Sequence, residues 1–335
     1  MFRLKEEADA GGSLKPRRGF RRARFVLLAL LGLVLVAAAV NVLAEAREKA
    51  TTAPYGERIA VDGGSLNVMR YGNRQGTPVV LLSGLGTPAP GLDFAPLARE
   101  LGGFDVIVVE GFGYGYSDMA AGPRTNEHIS TELHQVLATL QVPQPYVLAG
   151  HSIAGFYLLD YANRYRTEVA AVVGIDASIP KPGDEPVAEP QPGINWTGIL
   201  AATGLVRAVA AVAPAVVDPQ STAFTEDELR RMRMMSLWNF GNPAVADETA
   251  RIATNAQALR GVVYPADLPV LVFVADEGSD RTAGKVAAAE NLLRNVARHR
   301  VLTVQGGHYL HWTQAPLMAG TIREFLAATG PAPAG

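Results

Sequence analysis

Apolar and polar positions along most of this chain follow two alternating patterns: short apolar runs, and longer segments with apolar residues at every third or fourth position. The first pattern predicts buried strands and the second predicts amphipathic helices. Strands that alternate with helices favour a mostly parallel sheet covered on both faces. The sequence therefore predicts an α/β protein, with strands at 58–61, 65–71, 78–82, 104–109, 146–149, 171–176, 269–275 and 299–304, and covering helices at 126–141, 153–165, 283–298 and 317–326.

Between residues 180 and 262 the strand pattern stops. A proline-rich stretch comes first, where no helix can continue, and three helical segments follow at 195–212, 226–240 and 244–260. Thr225 with Glu228 three positions later predicts a capping box at the start of the second of these helices. We therefore expect an all-helical cap, residues 180–262, inserted after the sixth strand.

The chain has one long apolar stretch near its N-terminus, residues 25–44, interrupted only by Gly32 and Asn41. About 20 such residues are enough to cross a bilayer as a helix. Residues 1–24 are polar and basic, which predicts that this end stays in the cytoplasm. The expected arrangement is a single-pass anchor in the cytoplasmic membrane, a polar linker over 45–55, and a globular domain, residues 55–328, outside the cytoplasm.

A cleaved signal peptide is the alternative for the same stretch. Val42-Leu43-Ala44 and Ala44-Glu45-Ala46 offer small residues suited to cleavage, although the apolar run is longer than is usual for a signal peptide. Cleavage would release a secreted protein, whereas a retained helix would hold the protein on the membrane.

Composition narrows the possible functions. An apolar fraction of 48% with 19% charged residues is typical of a globular protein. The formal charge of −2, and the lack of a basic stripe after residue 50, give no reason to expect a nucleic-acid partner. The chain has no cysteine, which excludes a thiol nucleophile and cysteine-based metal sites. With no metal-ligand cluster and no phosphate-binding loop, neither metal nor cofactor is expected, and nothing predicts an oligomeric state.

The hexamer Gly150-His151-Ser152-Ile153-Ala154-Gly155 follows an apolar strand and precedes a helical segment. A serine between small residues at a strand-to-helix junction is typical of a nucleophile elbow, in which a tight turn exposes the hydroxyl group. Ala154 stands where the usual motif has a second glycine. Ser152 is therefore a candidate nucleophile with an imperfect motif.

The order of these parts resembles the α/β-hydrolase fold over roughly residues 55–328, and is most similar to capped bacterial serine esterases. The resemblance is carried by four segments in the family's order. They are Leu81-Leu82-Ser83-Gly84-Leu85-Gly86 after the third strand, the glycine turn from Glu110 to Ser117 after the fourth, the elbow at Ser152, and Gly306-Gly307-His308 after the last strand.

The resemblance implies roles for individual residues. Ser152 would be the nucleophile and His308 the general base, because a serine hydroxyl needs a base to take its proton. The backbone N–H groups of Leu85 and Ile153 would form the oxyanion hole. The segment from Leu81 to Gly86 would be the oxyanion loop. Among the other histidines, His151 is expected to line the pocket or pack beside this loop, and His311 is an alternative base.

The acid that orients His308 is the open question in this sequence. The family places it after the seventh strand, where the usual spacing falls on Gly278. Asp280 fits if the loop has two extra residues, Asp276 is the second choice, and Asp176 after the sixth strand is the third. A helix N-cap or a solvated loop charge is the alternative role for each of them.

The resulting hypothesis is an enzyme that cleaves carboxylic esters of small molecules through an acyl-enzyme, with a Ser-His-Asp triad. Methionine and tryptophan in the cap, such as Met232 and Trp238, favour acyl or aromatic esters over polar peptides. A peptidase, lactonase, C–C hydrolase or cofactor-free peroxidase would use the same triad, since fold does not fix substrate. A non-catalytic binding module is the alternative from another class.

Overall fold

The structure, a computed structural model, describes residues 18–329 except positions 73, 182, 184, 192, 220 and 279. Most of the predicted basic segment, residues 1–17, lies outside the described residues. The described chain is dominated by one eight-stranded sheet. Its strands are β1 Glu57–Val61, β2 Gly64–Tyr71, β3 Pro78–Leu82, β4 Asp105–Glu110, β5 Tyr146–His151, β6 Val169–Ile175, β7 Val270–Asp276 and β8 His299–Gln305.

The strand order is β1-β2-β4-β3-β5-β6-β7-β8, so the sheet reverses its order around β3. β2 pairs antiparallel with both β1 and β4, while every other pair is parallel. The carboxyl ends of β3 to β8 therefore lie along one edge. In open α/β sheets this edge is where functional groups meet.

Consecutive residues of the central strands point to opposite faces of the sheet, as the twofold period of a strand requires. Val80 and Leu148 pack into one apolar cluster together with Leu133 and Leu158 of two covering helices. Their neighbours Val79 and Val147 belong to a second cluster on the other face, which also contains Leu97, Met318 and Ile322. Because both faces are buried, the strands are apolar throughout, and this is why the sequence identified them.

The predicted covering helices are present. They are α4 Asn126–Thr139, α5 Ala154–Arg164, α11 Asp280–Leu293 and α13 Ala315–Thr329. Three short helices were not predicted: α2 Pro90–Asp93, α3 Ala95–Glu100 and α12 Leu310–Thr313. α2 and α12 have only four residues each, too few to show a helical period.

The N-terminal helix α1, Arg18–Thr51, is longer than the predicted apolar stretch. The expected linker over 45–55 was therefore wrong for its first part, since the helix continues to Thr51 before the chain enters β1. Residues 22–51 are long and apolar enough to cross a membrane, and none of the residues in their apolar window is buried. An apolar helix with so little protein covering fits a membrane anchor.

Between β6 and β7 the described residues form helices and loops but no strand, as expected for a helical cap. These are α6 Trp196–Ala202, α7 Leu205–Val212, α8 Glu226–Trp238, α9 Pro243–Ala250 and α10 Ile252–Ala258, with a 3₁₀ turn at Pro214–Val216. We call this segment the helical insertion. Gly204, in the left-handed region at φ 76°, divides the first expected helix into α6 and α7. The capping box of Thr225 and Glu228 is present at the start of α8, so that prediction is confirmed.

Candidate active site

Ser152 lies in a sharp turn between β5, which ends at His151, and α5, which begins at Ala154. Its φ of 55° is in the left-handed region, which is strained for a serine. The turn is fixed by the main chain: Ser152 N donates to Ile175 O at 3.2 Å, and Ser152 O accepts from Ser178 N at 2.7 Å. Strain that the surroundings enforce in this way is typical of functional turns.

The glycines of the elbow are required by close packing. A Cβ at Gly150 would lie 2.9 Å from the Cβ of Ala154, and a Cβ at Gly155 would lie 2.3 Å from Ser178 O. Ala154 is fully buried and fills the space that Gly150 leaves. An alanine is therefore accommodated at the motif's second glycine position because its partner across the contact has no side chain.

The loop after β3 packs against this elbow. A Cβ at Gly84 would lie 2.9 Å from His151 Nδ1 and 3.0 Å from the Cβ of Ser152, so the loop approaches as closely as a glycine allows. Gly86 N donates to the hydroxyl of Tyr114 at 3.3 Å. Within the described part of the chain, the N–H groups of Leu85 and Ile153 donate to no intramolecular acceptor. Two free donors next to Ser152 suit an oxyanion.

His308 lies in the loop between β8 and α12, with its side chain partly exposed. Its Nδ1 is 2.6 Å from Oδ2 of Asp176, the residue directly after β6. The expectation that Asp280, or else Asp276, orients His308 was therefore wrong in this structure, and the third choice holds that position. The carboxyl end of β6 lies between those of β5 and β7, which brings Asp176 to the histidine loop.

The Asp176 carboxylate is almost fully buried and makes three hydrogen-bonded contacts. Besides His308, it accepts from Ala275 N at 3.0 Å and from Lys285 Nζ at 2.8 Å. Burial alone would raise the pKa of Asp176, but the hydrogen bonds from His308 and Lys285 outweigh it and lower the pKa to about 2. Asp176 is therefore a carboxylate over the whole physiological pH range.

The two expected acids have other surroundings. Asp276, the last residue of β7, accepts from Gly278 N at 3.0 Å through Oδ1 and from the side chain of Gln305 through Oδ2. Asp280 is exposed in the first turn of α11, where a negative charge favours the helix N-terminus. Both have the local roles that loop carboxylates commonly have.

His151 packs beside the oxyanion loop, as expected for it. Its Nε2 is 3.0 Å from the backbone O of His308, which ties the elbow to the histidine loop. Burial, with His311 and His308 nearby, lowers the pKa of His151 to about 2, so the ring is neutral and Nε2 carries the donated hydrogen. His151 is a structural link between the elbow and the histidine loop.

His311 is fully buried behind this link, and its Nε2 is 2.7 Å from Asp93 Oδ2. Trp312 Nε1 donates to the other oxygen of Asp93 at 3.0 Å. These contacts do not favour His311 as a base and give it a packing role under the loop. The remaining histidines, His128, His134 and His299, contact Thr125, Glu168 and Glu290.

Two buried glutamates, Glu110 and Glu248, hold the loops around the site. Glu110 accepts from Gly91 N, Tyr116 N and the Tyr55 hydroxyl, so it stabilises the glycine turn. Glu248 of the insertion accepts from the hydroxyls of Tyr114 at 2.7 Å and Tyr157 at 2.5 Å. Since Tyr114 also accepts from the oxyanion loop and Tyr157 belongs to α5, Glu248 couples the insertion to the elbow.

A cavity of about 950 Å³ extends from the oxyanion and histidine loops under the helical insertion. It begins at Gly86 and Tyr309, the neighbours of Leu85 and His308, and its lining is largely apolar. Of the two cap residues named as candidate lining, Met232 is present in it, together with Trp196 and Met235. Trp238 instead donates to Glu48 of α1. Such a cavity suits an apolar small molecule.

Comparison with known families identifies the family to which the chain belongs. Residues 77–315 match the family described as alpha/beta hydrolase fold, which is more than half of the sequence. The chain therefore belongs to the α/β-hydrolase fold family and is an α/β-hydrolase enzyme.

One relative is an uncharacterized protein, YbdG, of Bacillus subtilis (strain 168). It is 25% identical over 254 residues, which cover 73% of this chain and 75% of the relative.

Two solved structures show the same fold. An epoxide hydrolase from Vigna radiata covers 81% of this chain and 97% of its own, with a TM-score of 0.64 and 15% identity. A thermophilic esterase from Thermogutta terrifontis covers 82% and 99%, with a TM-score of 0.57 and 20% identity. At these identities the likeness concerns the fold, and the chemistry has to be argued from this chain's own residues.

Proposed function

We propose that the protein is a serine hydrolase that cleaves carboxylic esters through an acyl-enzyme, with Ser152, His308 and Asp176 as its triad. The observation that carries the proposal is the 2.6 Å contact between His308 and buried Asp176, at the sheet edge where the strained elbow presents Ser152. An ionised acid that fixes the ring of a histidine is what a serine nucleophile needs.

In the acylation step, Ser152 Oγ attacks the ester carbonyl carbon while His308 Nε2 takes the hydroxyl proton. The carbonyl oxygen becomes an oxyanion, which accepts hydrogen bonds from the N–H groups of Leu85 and Ile153. The C–O bond to the leaving group then breaks, and His308 returns the proton to the departing alkoxide. An alcohol leaves, and the acyl group remains on Ser152.

In deacylation a water molecule replaces the alcohol. His308 takes its proton as the water oxygen attacks the acyl carbon, and the proton then passes to Ser152 Oγ as the carboxylic acid leaves. Asp176 stays ionised throughout and stabilises the charge that forms on the His308 ring. The apolar cavity favours esters with acyl or aromatic groups.

A fluorophosphonate probe, which reacts with activated serines, tests this assignment. We expect labelling of the wild type, none of Ser152→Ala, and a loss of ester turnover of about 10⁴-fold or more in that variant. Ser178→Ala is the matched control, because Ser178 lies against the elbow but has no catalytic role in this scheme. Unlabelled, folded wild type would contradict the enzymatic proposal, and labelling that persists in Ser152→Ala would contradict the nucleophile.

We also propose that α1 is a retained single-pass anchor with the hydrolase domain outside the cytoplasm. Support comes from contacts that cleavage near residue 45 would remove: Asn41 Oδ1 accepts from Arg207 Nε of the insertion at 2.9 Å. N-terminal sequencing of the mature protein from membranes is the test. A chain that begins near Glu45 or Arg47 would refute the anchor.

A further inference from the structure

The start of the helical insertion exposes an apolar surface. Residues 193–217 contain a single charged residue, Arg207. On α7, Leu205, Val209 and Val212 lie at positions i, i+4 and i+7, so they share one helix face. All three are exposed, Val212 by 84%, and Ile199 and Leu200 of α6 are exposed as well. We call residues 194–217 the apolar hairpin.

The one charge of the hairpin is directed away from this surface. Arg207 Nη1 and Nη2 contact the two carboxylate oxygens of Glu48 at 2.6 and 3.0 Å, and its Nε donates to Asn41. Both partners belong to α1. The guanidinium is thus neutralised against the N-terminal helix, and the outward face of the hairpin carries no charge.

The hairpin also lies at a defined height along α1. Its turn approaches the helix so closely that a Cβ at Gly204 would be 2.7 Å from Ala37 O. Ala37 lies within the apolar stretch 25–44, about 10 Å from its end at Ala44, since a helix rises about 1.5 Å per residue. Amphipathic helices in a membrane interface bury their apolar face to a depth of about 5–10 Å. The distance of Ala37 from the end of the apolar stretch therefore agrees with the depth at which such helices lie.

We propose that the apolar hairpin inserts into the outer leaflet of the bilayer beside α1, with lipid acyl chains covering its exposed face. The surface is continuous with the apolar stretch of α1, and the charge that would oppose insertion is already paired. A protein surface of this composition left in water would favour aggregation.

Insertion would also determine how the substrate reaches the cavity. This part of the inference rests on the proposed esterase function. Ile194, Trp196 and Val216 belong to the hairpin and also line the cavity, and the same lining includes Tyr309, the neighbour of His308. With the hairpin inserted, the cavity would therefore be open to the leaflet. The substrate class is then an ester that partitions into the bilayer, with a long acyl chain, rather than a short water-soluble ester.

Label depth tests the insertion directly, and the absence of cysteine makes every introduced cysteine unique. Full-length Val212→Cys and Leu205→Cys would carry the fluorophore NBD in liposomes, with exposed Ala287→Cys on α11 as the control. We expect blue-shifted emission and quenching by doxyl-labelled acyl chains for the two hairpin positions only. Quenching no stronger than at position 287 would overturn the proposal. Protection that needs a second copy of the chain and persists in detergent without lipid would overturn it too.

Rates of ester hydrolysis on two substrates distinguish a failure of this inference from a failure of the proposed function. Val212→Asp should reduce hydrolysis of a long-chain ester in vesicles about tenfold, because a charge resists insertion. Its turnover of a short soluble ester should match that of Ala287→Asp, which also shows that the variant is folded. Equal rates for both variants on the vesicle substrate would overturn the route. A wild type inactive on both substrates, with the labels still quenched, would refute the esterase and leave the hairpin's insertion standing.

Discussion

The carboxyl ends of β6 and β7 lie side by side at the same edge of the sheet, and an aspartate stands at each: Asp176 directly follows β6, and Asp276 is the last residue of β7. Asp176, after β6, is almost entirely buried and contacts His308, Lys285 and Ala275 N. Asp276 is half-buried and contacts Gly278 N and Gln305. Asp280, a few residues further on, is exposed at the start of α11.

This difference shows how a carboxylate qualifies as an orienting acid. Spacing along the chain favoured the loop after β7, because the resemblance to α/β-hydrolases implied an acid there. Proximity and burial favour the loop after β6, because only Asp176 reaches the histidine ring and has enough hydrogen-bond donors to stay ionised there. The strand order places β6 next to β5, so a residue at its end lies close to the elbow.

The largest effect is expected for Asp176→Asn. An amide can hold His308 in the wrong tautomer and cannot balance the charge that forms on the ring, so kcat should fall by about 10³- to 10⁴-fold. Steady-state hydrolysis of an activated ester measures it. Asp280→Asn is the matched control in the neighbouring loop. If that variant loses as much activity as Asp176→Asn, the assignment to β6 fails.

A second expectation concerns acid stability. The pKa of Asp176 is lowered from its ordinary 3.8 to about 2, and a tenfold change in acidity is worth about 1.4 kcal/mol. Ionised Asp176 should therefore contribute about 2 kcal/mol to the free energy of unfolding above pH 4, and this contribution should be lost as the pH falls toward 2. Urea unfolding in detergent at several pH values, with wild type compared to Asp176→Asn, measures it. A difference that does not change between pH 5 and pH 2 would contradict it.

Lys285→Met should produce a smaller change in the same direction. Without the ammonium group the pKa of Asp176 rises toward its ordinary value, so the acid loss of stability begins at a higher pH. Because Lys285 is partly exposed, the cost at pH 7 should be about 0.5–1 kcal/mol. Lys285→Arg keeps the charge and is the control. If Lys285→Met loses stability at the same pH as wild type, the hydrogen bonds from His308 and Ala275 alone lower the pKa of Asp176.

The smallest effects are expected in the loop after β7. Asp276→Asn keeps an oxygen acceptor for Gly278 N but replaces the acceptor for the Gln305 side chain with an NH₂ donor. This change should cost about 1 kcal/mol of stability, with kcat within about threefold of wild type. Asp280→Asn should change kcat by less than about twofold, since an exposed charge has little influence on the site. Thermal unfolding and ester turnover measure both. A loss of kcat without a loss of stability in either variant would indicate that the acid orienting His308 belongs to the loop after β7.

Much of the fold could be predicted from the sequence because its strands and turns depend on short stretches of neighbouring residues. Central strands such as β3 and β5 are apolar on both faces, and the glycines around Ser152 mark a turn that only small residues permit. The His308 loop and the oxyanion loop were found in the same way, since each lies directly after a strand. The short helices α2 and α12 were missed because they contain about one turn.

Other features were decided by contacts between distant segments. Glu248 and Tyr114 are 134 positions apart in the chain, yet together they connect the insertion to the oxyanion loop. The apolar run around α7 is visible in the sequence, but only the structure shows that its face is exposed and that Arg207 turns inward to α1.

The sequence by itself determined the order of strands and helices, the elbow with Ser152, the histidine loop and the apolar N-terminal helix. These depend on periodicity and on backbone conformations that a few neighbouring residues dictate. Only the tertiary structure decided which aspartate meets His308, because three carboxylates end strands or loops at the same edge and chain spacing does not reveal which one points inward. Burial among donors distinguishes Asp176, and burial is a property of the assembled sheet.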